Sequence, residues 1–91
     1  MVRDVHQDNK MCGRMKSNDR VFTHQYANAT KERCLEDCTK TDKCIAMSGD
    51  WGFWCIGCKV KLYEPSNKNA EAWKGMVQYI LNIIEAISNL S

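Results

Sequence analysis

The apolar positions change period along the chain, and the changes divide it into elements. Residues 1–20 are polar, charged and weakly patterned, which predicts an arm with one short strand near Cys12. Arg20 to Tyr26 (RVFTHQY) alternates moderately and carries Val21, Phe22, Thr23 and Tyr26, residues that suit a strand. Thr30 then stands as an N-cap, Glu32 falls in the first turn, and Cys34, Leu35 and Cys38 recur at helical spacing. Together they predict a helix over 31–40. Beyond Cys44, the residues Ile45, Met47, Phe53, Cys55, Val60 and Leu62 lie among small ones. That stretch predicts two or three short strands, joined at Gly49-Asp50 and near Gly57, with KVKLY (59–63) alternating like a strand. Pro65-Ser66-Asn67 reads as a loop. From Ala70 onward the pattern becomes helical, with Gly75 as a joint.

That C-terminal helix has an unusual apolar pattern. Trp73, Met76, Ile80, Ile83, Ile87 and Leu90 follow the 3-4-3-4-3 spacing of a coiled-coil seam, and Val77, Leu81 and Ile84 form a second row. Gln78, Asn82, Glu85 and Asn89 alone make the polar face, leaving an apolar sector of roughly 200° where one-sided packing needs about half that. Either the whole stripe fills the core of a small domain, or one row covers the domain while the other meets another chain. A helix lying on a membrane carries Lys or Arg along its polar face, and none follows Lys74. A protein partner is therefore expected, with Val77, Ile80, Leu81, Ile84 and Ile87 as the interface. Val77 to Ile87, interrupted by Gln78, Asn82 and Glu85, is too short for the ~20 apolar residues that cross a bilayer. The chain itself is not expected to span a membrane, although the assembly it joins can be membrane-bound.

Charge and length narrow the classes further. Ninety-one residues make one domain at the small end of what an apolar core supports unaided. The net charge is only +2, and basic and acidic residues are interleaved through Lys31–Lys43, so no face suited to nucleic acid appears. MVRDVHQDNKMCGRMK has no apolar run and does not read as a secretory signal. An oxidised chain is expected to have lost a targeting segment or to be given without it.

Six cysteines admit three readings: Cys12, Cys34, Cys38, Cys44, Cys55 and Cys58 could be redox-active, metal-binding or structural. Phe53-Trp54-Cys55-Ile56-Gly57-Cys58-Lys59 looks like the active turn of a thioredoxin, where a helix N-terminus lowers a thiol pKa. Too few residues follow Cys58 for the helix and strands of that fold, the only proline is Pro65, and a strand pattern follows the motif. Zinc needs four converging ligands. Cys55-x-x-Cys58 is a fair half-site, but Cys34-x3-Cys38 on a helix is a poor one, and His6 and His24 are isolated. No metal or other cofactor is expected, and structural disulfides are the favoured reading.

RCLEDCTKTDKCIAMSG (33–49) followed by FWCIGC (53–58) resembles the PAN/apple domain. That family's core runs Cys-x3-Cys-x5-Cys, an apolar strand, and a fourth Cys on the next strand; here these are Cys34, Cys38, Cys44, Ile45–Ser48 and Cys55. The resemblance covers about residues 20–62. It implies an α+β fold, with a small antiparallel sheet, one disulfide-bridged helix and an added C-terminal helix. It also implies the bridges Cys34–Cys55 and Cys38–Cys44; six cysteines allow too many pairings for spacing alone to choose. Cys34 and Cys38 share one helix face, which suits both bridges. Cys58 departs from the family pattern, whose last cysteine lies near the C-terminus; with the two implied bridges made, Cys12–Cys58 is the pair expected. The chain thus divides into an arm (1–19), a disulfide core (20–68) and an amphipathic helix packing on core and partner (69–91).

PAN/apple domains bind proteins or carbohydrates and do no chemistry, so the resemblance implies a non-enzymatic interaction module. Two forms of it are open. One is a structural subunit docked into a larger assembly through the C-terminal helix. The other is a secreted recognition module that contacts glycan or protein through Trp51, Phe53 and Trp54, whose plainer role is packing. A thiol–disulfide oxidoreductase is the weaker alternative. Asn28-Ala29-Thr30 and Asn89-Leu90-Ser91 match the N-glycosylation pattern and point to a secretory route. The expected location is extracellular or secretory, or alternatively an oxidising organelle lumen such as the thylakoid lumen.

Overall fold

The protein is described by a computed structural model covering residues 1–14, 17–67, 69–75 and 83–88. In chain order the elements are β1 (Val2–Arg3), β2 (Lys10–Met11), β3 (Arg20–Gln25), α1 (Lys31–Lys40), β4 (Ala46–Asp50), β5 (Trp54–Cys58), β6 (Glu64–Pro65) and β7 (Glu71–Lys74). Five strands form one antiparallel sheet in the order β1-β7-β4-β5-β3, while β2 and β6 pair as a separate ribbon. The fold is a small α+β domain.

Helix α1 has the bounds its sequence predicts. The Thr30 hydroxyl accepts the Arg33 amide at 3.2 Å, Glu32 occupies the positive end of the helix dipole, and Lys40 occupies the negative end. Along the central strands, alternate side chains serve opposite faces of the sheet. On the α1 side Met47 and Cys55 join Ala29, Cys34, Cys38 and Cys44, with Phe22, Leu35, Trp51 and Trp73 packed around them. On the other side Ala46, Ile56, Cys58 and Ala72 meet Cys12 and Leu62, with Met11, Trp54 and Val60 alongside. The sheet is therefore covered twice, by the helix and by the arm with its ribbon. The buried Ser48 hydroxyl pins that ribbon by donating to the Lys10 carbonyl at 2.6 Å.

Several elements differ from the sequence reading. The β4–β5 hairpin turns at Trp51–Phe53, with Gly52 at φ 90°, so Gly49-Asp50 ends β4 instead of forming the joint. Gly57 lies inside β5 opposite Phe22, and a Cβ there would collide with the Phe22 ring; the glycine provides clearance, not a turn. Residues 60–63 form no strand, although Leu62 is buried. Pro65, read as loop, sits in β6, where Tyr63 and Ser66 donate to Met11 and Asn9 and the missing proline N–H costs no bond.

The largest correction concerns the start of the C-terminal helix. Glu71–Lys74 is a strand held between β4 and β1, with Ser48 opposite Ala72 and Arg3 opposite Trp73. Ala, Glu and Lys favour helix in isolation, but Ala70 and Ala72 are buried while Glu71 and Trp73 face the other way. Two neighbouring strands outweigh that local propensity. Trp73 thus leaves the coiled-coil seam, and the described helical segment is 83–88. The arm is likewise not loose: β1 extends the sheet, and residues Val5–Gln7 form a 3-10 turn.

Three disulfides join Cys12–Cys58, Cys34–Cys55 and Cys38–Cys44, with Cα separations of 6.1, 6.5 and 5.2 Å. Their loops are nested, and three bridges in so small a domain are consistent with an oxidising environment. At the β1–β7 edge the Arg3 guanidinium grips both oxygens of Asp8, at 2.7 and 3.0 Å, and the Ala72 amide adds a bond at 2.9 Å. The Arg3 bonds, followed by that amide, outweigh partial burial and hold the Asp8 carboxyl below its usual range. Glu71 behaves similarly. Burial pushes its pKa upward, but hydrogen bonds from the Trp73 and Trp51 indoles, at 2.8 and 3.3 Å, and the charges of Arg3 and Lys31 bring it down overall.

Two predictions follow from this architecture. Replacing each bridge by an alanine pair should reduce unfolding free energy by about 3.5 kcal/mol for Cys12–Cys58, about 3 for Cys34–Cys55 and about 2 for Cys38–Cys44. Urea unfolding of the three double variants checks the order, which nested loop lengths dictate; a reversed order would contradict it. The second prediction is an acid limb. Groups with lowered folded pKa values contribute fully above their unfolded values near pH 4 and lose that contribution as pH falls through the folded ones. Stability should therefore fall below about pH 4, and Asp8→Asn should be less stable at pH 7 with a shallower acid limb. Unfolding titrations of the two proteins from neutral to acid pH compare those slopes.

Candidate functional site

The Cys-x-x-Cys segment lies on a strand, so its two sulfurs face opposite ways. Cys55 reaches Cys34 on α1, whereas Cys58 reaches Cys12 in the arm. All six cysteines are bridged, and the described residues contain no cluster of three or more His, Cys, Asp or Glu side chains able to hold a metal. His24 hydrogen-bonds Asp37 at 2.6 Å and stacks on Phe22 with ring centroids 4.9 Å apart, which pins edge strand β3 to α1.

Trp51, Phe53 and Trp54 do not form one platform. Trp51 turns to the α1 side, packs into that core and donates to Glu71. Trp54 turns to the arm side, where its indole donates to Asn67 at 3.1 Å and Asn67 in turn donates to Asp50 at 2.8 Å. Phe53 stays 63% exposed at the hairpin tip. Its carbonyl accepts the Tyr26 amide at 3.0 Å, which sets the two residues side by side. Tyr26 is 71% exposed and holds φ 54°, a left-handed backbone uncommon outside glycine.

Tyr26, Phe53 and Trp54 stand at one groove of about 560 Å³, whose other lining residues include Thr23, Gln25, Ile56, Ser66 and Asn67. Arg14 and Arg20 line it too, and no carboxylate among the described residues does. Arg20 donates to the Cys12 and Gly13 carbonyls at 3.2 and 2.9 Å. Burial pulls its pKa down, yet a guanidinium stays charged. Neighbouring Asp19 is occupied by the Tyr63 hydroxyl at 2.6 Å. The arrangement offers rings, hydrogen-bonding side chains and positive charge.

The helical segment 83–88 is exposed throughout; Ile83, Ile84 and Ile87 are 42, 54 and 61% accessible. Of the expected interface residues, Ile84 and Ile87 therefore stand in solvent, while Val77, Ile80 and Leu81 lie outside the described residues. Asn28 is exposed in the 3-10 turn before α1, and its side-chain Oδ1 accepts from the Arg33 guanidinium at 2.9 Å; Asn89 lies outside the described residues. Among the described residues no helix is long and apolar enough to cross a membrane.

The sequence reading missed Tyr26, Arg14 and Arg20. Tyr26 reads as the last residue of a strand, and nothing local reveals its left-handed backbone. The arginines reach the groove only because the arm folds back over the sheet and an irregularity between Arg20 and Phe22 shifts the register of β3. Comparison with protein-family models, with curated proteins and with solved structures finds no match for this chain.

Proposed function

We propose that the chain is a non-catalytic, PAN/apple-like interaction module that acts as a structural subunit, docked into a larger assembly through its C-terminal helix. The carrying observation is the exposure of Ile83, Ile84 and Ile87 on a domain whose sheet is already covered on both faces. On a helix these three residues fall within one 100° sector, the width of a packing stripe. Apolar surface gathered in this way marks contact with another molecule. The absence of basic residues after Lys74 favours a protein over a lipid surface. The bridged core fits an extracellular or secretory location, or an oxidising organelle lumen. Bridging of every cysteine leaves the thiol–disulfide oxidoreductase reading without a reactive thiol.

Separated from its partner, the full chain should self-associate through this helix. Light scattering across a concentration series should show the association, and the double variant Ile84→Glu/Ile87→Glu should abolish it. The unfolding midpoint of the bridged core should stay within about 0.5 kcal/mol of the parent, as for other exposed substitutions. A parent that stays monomeric at high concentration, together with a double variant that unfolds, would show that these isoleucines are core.

A further inference from the structure

We infer that the groove lined by Tyr26, Phe53, Trp54, Arg14 and Arg20 binds an anionic oligosaccharide, one carrying uronate or sulfate groups. This site is separate from the C-terminal helix and does not depend on the docking role proposed for it. Tyr26 supplies the first argument. A tyrosine in left-handed backbone carries a conformational penalty, normally tolerated where it places a side chain for packing or for function. Here it places the ring in solvent at 71% exposure beside Phe53 at 63%. The packing of the domain gains little from either ring, whereas a ligand gains a preset aromatic rim.

The second argument is the chemistry of the lining. Thr23 and Gln25 make no side-chain hydrogen bond to the described residues, so a hydroxyl and an amide remain for a ligand. Arg14 and Arg20 both line the groove, no carboxylate among the described residues does, and Arg20 makes its bonds through Nε and Nη2, leaving Nη1. Rings that stack on sugar faces, polar groups that read hydroxyls, and paired positive charge together match an acidic sugar chain.

An acidic peptide fits less well. The groove lies over the sheet face at β3 and β5, with Trp54 and Ile56 of β5 in its lining, and not along the free edge of β3 where an added peptide strand would pair.

The test titrates the full chain with a heparin hexasaccharide, a galacturonate hexamer, a neutral maltohexaose and a glutamate-rich peptide, reading tryptophan fluorescence and calorimetric heat. At least one of the two acidic sugars should bind saturably, and maltohexaose about tenfold or more weaker. Binding should weaken with added salt. Phe53→Ala and Arg14→Glu change exposed residues; each should weaken binding about tenfold while the disulfide map and unfolding midpoint stay at parent values. The inference is overturned if neither acidic sugar binds at millimolar concentration, if maltohexaose binds equally well, if both variants bind like the parent, or if only the peptide titrates.

Discussion

Strand β5 is the constraint from which the rest of the domain follows. Its two cysteines lie three residues apart, and because a strand alternates faces they are committed to opposite sides of the sheet. Cys55 draws in the helix through Cys34, and Cys58 draws in the arm through Cys12. A short, all-antiparallel sheet of this size buries too little surface to stand alone. The two bridges install a cover on each face, and each cover brings the apolar residues that complete a core. On the α1 side those are Ala29 and Leu35; on the arm side they are Met11 and Leu62.

The same geometry explains why a redox-like motif carries no redox pair. Thiol chemistry in a Cys-x-x-Cys requires the two sulfurs to meet, which a helical turn permits and an extended strand forbids. Gly57, between them in sequence, has another task. It keeps β5 flat under the Phe22 ring, and that ring in turn packs on His24, whose partner Asp37 belongs to α1. Removing the Cβ at one strand position therefore lets the edge strand lie against the sheet and reach the helix.

Local signals in the sequence carried helix α1, strand β3 and the β4–β5 pair, because caps, alternation and cysteine spacing act within a few residues. The elements misread are those decided by distant partners. Glu71–Lys74 reads as helix until β4 and β1 are placed on either side of it, since each of its residues tolerates both conformations. Pro65 reads as loop until Lys10 and Met11 come to pair with its strand. The aromatic trio was legible as a cluster but not as a surface. A one-residue difference between Phe53 and Trp54 sends one ring to solvent and the other to the arm-side core, and Trp51 goes to the helix side. Tyr26 joins Phe53 through a backbone bond just beyond the paired ends of β3 and β5.

The position of the bridges also separates the two proposed binding surfaces. Every residue of the groove lies between Met11 and Asn67, on or beside the nested disulfide loops. A ligand there meets rings and charges whose ordering has already been met by folding, so little of the binding energy is spent on arranging the site. Segment 83–88 lies beyond the last bridge and exposes its isoleucines. A helix outside a packed core takes much of its stability from whatever covers its apolar stripe. In the proposed docking role its order and its contact with a partner would be coupled, and the two surfaces would work differently: the groove by preset shape and charge, the helix by gaining structure from what it touches.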